Sequence, residues 1–147
     1  MRDVHVTVAA IVARDDKFLL VEETVGSRTV LNQPAGHWEP GETLVEAVVR
    51  EALEETGWDL EPTALLGVYA HRPDDLAYDF LRFAFIATAL RHQSGRLLDP
   101  GIVCAVWLTR DELRRESARH RSPMVLRCVE DFLSDQQHPL SVVSHLA

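Results

Sequence analysis

The chain has 147 residues with 46% hydrophobic content, enough for one domain, residues 1–147, with a sizeable core. Lys and Arg total 15 against 23 Asp and Glu, a formal charge of -8. That excludes the positive footprint of a duplex-binding protein but leaves small phosphates open, because a bound cation can reverse the local sign. No apolar run reaches membrane-spanning length and the N-terminus alternates instead of forming a signal-peptide core, so the expectation is a cytoplasmic protein outside the membrane. Cys104 and Cys128 are too few for a disulfide framework and lack zinc-ligand spacing, and both are expected to be unpaired core thiols.

In chain order, Val4, Val6 and Val8 alternate before the continuous Ala9-Ala10-Ile11-Val12, the pattern of a strand entering a sheet covered on both faces. Arg14-Asp15-Asp16-Lys17 reads as a turn and Phe18 to Val25 as a second strand, so the two are expected to form an antiparallel hairpin. On these strands His5 is either structural or near substrate, and Glu22 and Glu23 either surface acids or ligand contacts. Arg28, in the loop Gly26-Ser27-Arg28-Thr29, can meet a phosphate or stay solvated.

Pro40-Gly41 mark a turn, and a helix should follow at once. Thr43 and Glu46 have the spacing of a capping box, which puts the helix start near Leu44, and Gly57 is the natural stop. On that helix Glu51, Glu54 and Glu55 stand at i, i+3 and i+4, so their carboxylates project from one face. Neighbours about 6 Å apart repel by about 3 kcal/mol per pair at an effective dielectric near 20, and only Arg50 is close enough in sequence to offset this. A solvated acidic face would be better placed at the other end of the helix dipole, so a divalent cation is the stronger reading.

After the helix, Leu65 to His71 is a predicted strand with Tyr69 and His71 on one side, and Arg72-Pro73-Asp74-Asp75 breaks it. Tyr78 to Leu90 is a longer β run in which Arg82 calls for an anion partner or a structural pairing with an acid. His92 to Gly101 reads as a loop and Val103 to Leu108 as a strand. Thr109 caps a short helix, and Pro123 opens the last one, with Val125, Leu126, Val129, Phe132 and Leu133 at helical spacing. Pro139 onward is a tail of uncertain order. This succession fits α/β or α+β layering.

Gly36, five residues, Glu42, seven residues, then Arg50-Glu51-Ala52-Leu53-Glu54-Glu55-Thr56-Gly57-Trp58 resembles the Nudix box, the signature of hydrolases that cleave diphosphates linked to another group. Departures are confined to the aliphatic slots at Ala52 and Trp58. The wider pattern is similar to the NudJ-type phosphatase branch, through His5-Val6-Thr7-Val8-Ala9, Val21-Glu22-Glu23-Thr24, Asn32-Gln33-Pro34-Ala35-Gly36-His37, Leu81-Arg82-Phe83 and Arg121-Ser122-Pro123. Leu31 stands where that branch generally has an aromatic residue.

The resemblance implies an α/β/α sandwich with a mixed central sheet, as a monomer or homodimer. It implies Mg²⁺ or Mn²⁺ held by Glu51 and Glu55, by Glu54 directly or through water, and by the Gly36 carbonyl, with Arg50 orienting Glu51 and with Glu42 and Gly57 structural. Nucleoside di- and triphosphates and the pyrophosphates of thiamine and its hydroxymethylpyrimidine precursor are the implied substrates. Arg28, Arg82, Tyr69, His71 and Glu22 are the candidate contacts to them. Two other classes stay open: an RNA-processing pyrophosphohydrolase, which should show a basic groove, and a catalytically silent Nudix-like nucleotide-binding module, which should have lost metal ligands. Many Nudix enzymes carry one more acid in the loop before the strand that ends in tryptophan. Here Gly101 takes that slot, and nearby Asp99 either reaches the site or, as the favoured reading, only begins the Pro100-Gly101 turn.

Overall fold

In the computed structural model, which describes residues 1–146, the N-terminal strands are β1 (Asp3–Arg14) and β2 (Lys17–Val25), followed by β3 (Arg28–Asn32) and a short β4 (Ala35–His37). Helix α1 (Leu44–Thr56) leads into the long strands β5 (Trp58–His71) and β6 (Tyr78–His92). Then come β7 (Ile102–Thr109), α2 (Arg110–Arg115) and α3 (Met124–Leu133).

The sheet is mixed, in the order β3-β2-β1-β6-β5, with β4 also on β1 and β7 also on β2. Asp15 and Asp16 both have positive φ, as a two-residue hairpin turn requires, yet the expected hairpin is only its root: β1 meets β2 at Ala13–Phe18 and Arg14–Lys17 alone. Beyond that point β1 pairs parallel with β6, from Asp3 opposite Tyr78 to Val12 opposite Ala87, while β2 pairs with β3 and β7. The cause lies in Val8 to Val12, buried on both faces, which a two-stranded ribbon could not cover.

Strand alternation then makes two cores. Val8, Ala10, Val12, Phe85 and Ala87 face Ala47, Val48 and Ala52 of α1. Ile11, Leu20 and Ala84 face Leu113 of α2 and Val125, Cys128 and Val129 of α3. Each large, fully buried side chain such as Phe85 or Leu66 contributes about 1.5–3 kcal/mol by leaving water. The result is an α/β/α sandwich.

Three details depart from expectation. Strand β5 starts at Trp58, hidden in the sequence because Asp59, Glu61 and Pro62 look like a loop; register shifts at Asp59/Leu60 and Pro62/Ala64 accommodate them. Leu133 is 48% exposed, and Met124 takes its expected place in the buried face of α3. The segment after Pro139 is held in place: Leu65 and His138 exchange backbone hydrogen bonds of 2.9 and 2.8 Å, and Leu140 and Val143 pack on the α1-side core, covering an edge of β5. Both cysteines are free, and among the described residues no helix is long and apolar enough to cross a membrane.

The loop between β5 and β6 is stapled by Arg2, which donates to Asp79 at 2.8 Å and to the carbonyl of Leu76 at 2.9 Å, while Arg72 donates to the same carboxylate at 2.9 Å. The two guanidiniums hold the Asp79 carboxyl at about 2, below the ordinary carboxylate value. A depressed acid stabilises the fold above its unfolded pKa and loses that contribution as pH falls through the folded one. The melting-temperature gap between the native protein and Asp79→Asn is therefore expected to be constant from about pH 5 to 8 and to close between about pH 4 and 2, measured by thermal melts.

Candidate active site

Both ends of α1 are built as the sequence suggests. The Thr43 hydroxyl accepts from the Glu46 N–H at 3.0 Å, and the Thr43 N–H donates to the Glu46 carboxylate at 2.8 Å. Gly57, with φ of 77°, closes the helix by donating to the Leu53 carbonyl at 3.0 Å. Ala47, Val48 and Ala52 seat the helix on the sheet, and Glu51 and Glu55, each only 9% exposed, lie on the same inward side, with the more open Glu54 at its border.

Arg50 joins this face to the loop before it. Its guanidinium donates to both oxygens of Glu42 at 2.7 and 2.9 Å, to Glu51 at 2.8 Å, to Glu54 at 3.4 Å and to the His37 carbonyl at 3.1 Å. Glu42 thus fixes Arg50, and its Oε1, which accepts from Arg50 Nη2, also accepts from the Glu39 N–H. On the other side β4 comes so close to α1 that a Cβ on Gly36 would lie 2.1 Å from the Glu51 carboxyl carbon. Glu55 accepts from the Ala35 N–H at 2.9 Å.

The sequence left Asp99 chiefly as a turn residue, and the structure gives it both duties. Its carbonyl takes the turn bond from the Ile102 N–H, while its carboxylate joins Glu51 and Glu54 with ligand atoms within 4.8 Å of one another. Its own N–H donates to the Glu54 carbonyl at 2.9 Å, which docks the loop on the end of α1. The signal for this was an acid ahead of a Pro-Gly turn, ambiguous until the loop's docking point is known.

Arg50 pairs with Glu42, Glu51 and Glu54, while Glu55 and Asp99 have no ion pair among the described residues, so the cluster keeps excess negative charge. Burial, then repulsion from Glu51, Glu23 and Asp99, pushes the Glu55 carboxyl up to about 9 despite the Ala35 N–H. Burial likewise raises Glu51, against the pull of Arg50, and raises Glu54 together with the nearby Asp99. Oxygen-only donors, surplus negative charge and a backbone with no room for a Cβ fit a hard divalent cation.

Gly36, Glu51 and Glu55 open into a cleft of about 590 Å³ that Arg28, His71 and Arg82 also line. Two candidate contacts are corrected. Tyr69 does not line this cleft: it packs beneath α3 and donates to Asp131 at 2.7 Å, and burial with that bond raises its hydroxyl pKa. Glu22 is taken up by Arg119 at 3.0 Å and by the Cys104 thiol at 3.5 Å, so its neighbour Glu23, bonded to Arg121 at 2.9 Å, is the β2 acid on the cleft wall. Sequence reading also left out His120, Tyr78 and Phe80 as cleft residues, since nothing in their local pattern reveals which way a loop or a strand end faces.

A mixed sheet between helices, with a glutamate face and a glycine backbone meeting in one cleft, defines a class. Residues 3–128 match the NUDIX domain family, and the chain belongs to that family. It is a hydrolase of phosphoric anhydrides. Within the family it is similar to Phosphatase NudJ of Escherichia coli strain K12, 38% identical over 139 residues that cover 95% of this chain and 90% of the relative. The same identity and coverage hold for Phosphatase NudJ of Shigella boydii. Among solved structures, a NUDIX hydrolase from Nitrosomonas europaea superposes with a TM-score of 0.96 at 43% identity over 98% of both chains. A MutT NUDIX hydrolase from Burkholderia pseudomallei, at 22% identity and a TM-score of 0.74 over 88% of this chain and 98% of its own, shares the fold.

Gly36→Ala is expected to displace the Glu51 carboxylate and leave the backbone in place, lowering turnover of a nucleoside diphosphate about a hundredfold with little change in melting temperature. Retained turnover would show that the close approach is not used. Asp99→Asn keeps the backbone turn bonds but not the negative charge, and is expected to cost about ten- to a hundredfold in turnover at unchanged melting temperature. A loss under about twofold would return Asp99 to the turn alone.

Proposed function

We propose that this protein hydrolyses a diphosphate linkage in small molecules by attack of water on phosphorus. The substrates are nucleoside di- and triphosphates and thiamine-type or hydroxymethylpyrimidine pyrophosphates. The observation that carries this reading is the meeting of Gly36, Glu51 and Glu55 in the same cleft as Arg28, Arg82 and His71: a place for a cation beside side chains that can take phosphate oxygens. Mg²⁺ or Mn²⁺ would be held by Glu51, Glu54 and Glu55 and the Gly36 carbonyl, and would supply charge neutralisation at the attacked phosphorus and a more acidic water.

The remaining steps belong to the chain. Arg50 fixes Glu51, and the Ala35 N–H fixes Glu55, so neither carboxylate has to reorganise as charge develops. The released proton goes to a carboxylate oxygen of Glu54, which is more open to water than Glu51 and Glu55. Arg28 and His71 face the phosphate chain from the walls of the cleft.

Phosphate release from a panel of nucleotides, thiamine diphosphate and capped RNA, with Mg²⁺ and with excess chelator, tests the reading. Turnover of the small diphosphates is expected only with the ion, and Glu55→Gln is expected to lose it by a hundredfold or more, roughly, with the fold intact. Mn²⁺ should also raise the melting temperature of the native protein more than that of Glu55→Gln, since an ion that binds only the folded state stabilises it. Full activity in chelator, or capped RNA as the sole substrate, would end the proposal.

A further inference from the structure

Arg82 is 3% exposed, between the core under α3 and the floor of the cleft. A buried guanidinium normally needs an acid, and the partly buried Arg2, Arg50 and Arg119 each have one. Of the two readings open for Arg82, an anion partner or an acid of the protein, the second does not hold: its partners are neutral. Nη1 donates to Gln33 Oε1 at 2.9 Å with the Cys128 sulfur 3.9 Å away, Nη2 donates to Asn32 Oδ1 at 3.0 Å, and the buried Nε has no acceptor among the described residues.

This network fixes both amides, because arginine only donates and each amide must turn its oxygen toward it. Gln33 spends its nitrogen on the Val125 carbonyl at 2.7 Å. Asn32, which lines the cleft, keeps its amide nitrogen without an acceptor among the described residues, and Thr7, opposite Arg82 in the β1–β6 register, adds a hydroxyl. The floor is a set of donors around one uncompensated positive charge. Behind it lie Gln33 and Cys128, so nothing bulky can pass beyond the guanidinium.

We propose that Arg82, with the Asn32 amide, receives the terminal, unesterified phosphate of the substrate, so that the diphosphate enters phosphate end first and the organic group stays toward the mouth. The inference rests on the hydrolase reading above. A terminal phosphate offers three acceptor oxygens and between one and two negative charges near neutrality, which suits a donor-only floor. A diphosphate esterified at both ends would bring an uncharged group onto the bare cation.

Calorimetric titration with inorganic pyrophosphate in excess chelator isolates this pole from any ion. Arg82→Gln is expected to weaken that binding at least about thirtyfold, while Mn²⁺ binding, read by electron paramagnetic resonance, changes less than about twofold. Asn32→Asp gives the guanidinium an internal carboxylate, so it should fold at least as stably as the native protein and still lose pyrophosphate binding; it serves where Arg82→Gln fails to fold. In turnover, KM for a nucleoside diphosphate should rise in Asn32→Asp, with little change for a diphosphate esterified at both ends. An Asn32→Asp protein that binds pyrophosphate as the native protein does would assign Arg82 to the framework and overturn the proposal. Native protein inactive with Mg²⁺ or Mn²⁺ would defeat the hydrolase reading instead, and leaves the chelator titration to stand or fall separately.

Discussion

Carboxylates cannot gather at one helix end without cationic help, and the way Arg50 divides its bonds among Glu42, Glu51 and Glu54 sets the character of the site. Its two shortest links to a single partner go to Glu42, in the loop, while Glu51 and Glu54 receive one bond each. A bidentate guanidinium–carboxylate pair is the strong form of this contact, so much of the arginine's charge is spent on holding the loop against the helix. What is left over is a rigid arrangement with net negative charge. Were Glu42 neutral, Arg50 would be free to settle between Glu51 and Glu54 and quench that surplus.

The cleft therefore has two poles. The acidic one is mounted on α1 and β4, and the basic one on the β1–β6 face, where Thr7 and Arg82 stand in register. Its walls are loops tied to the sheet by ion pairs, Arg119 with Glu22 and Arg121 with Glu23 on one side and Arg2 with Asp79 on the other. Ion pairs as open to solvent as these add little stability, but they restrict where a loop can lie, which is the property a binding wall needs.

Sequence legibility followed the range of the interactions. Helix α1 was readable to its ends because its caps and its acid spacing are local, decided within four residues by Thr43–Glu46, Gly57 and Glu51-x-x-Glu54-Glu55. The layering and the glycine–glutamate pairing came from resemblance to a family, and no local pattern reveals that Gly36 lies against Glu51. Asp99, Tyr69 and Glu22 could not be placed, since each side chain's surroundings are supplied by another element: the end of α1 for Asp99, Asp131 of α3 for Tyr69, Arg119 for Glu22. The early hairpin holds only at its root for the same reason, because its strong turn at Asp15-Asp16 says nothing about β6, the strand that claims the rest of β1.

That claim has a consequence for how the chain acquires its shape. With Asp3 opposite Tyr78 and Val12 opposite Ala87, the central strand has one whole edge unpaired until β6 exists. At ribosomal speeds of about 5–20 residues per second, the interval between the two strands is roughly 4–15 s. Throughout it the apolar segment Val6 to Val12 has β4 along part of one edge and its other edge open, and α1 with its acids has only part of the sheet to lie on. Long-range parallel pairing of this kind also places the fold among slow formers once synthesis is finished. The hydrolase thus completes its central sheet only in the second half of its own translation.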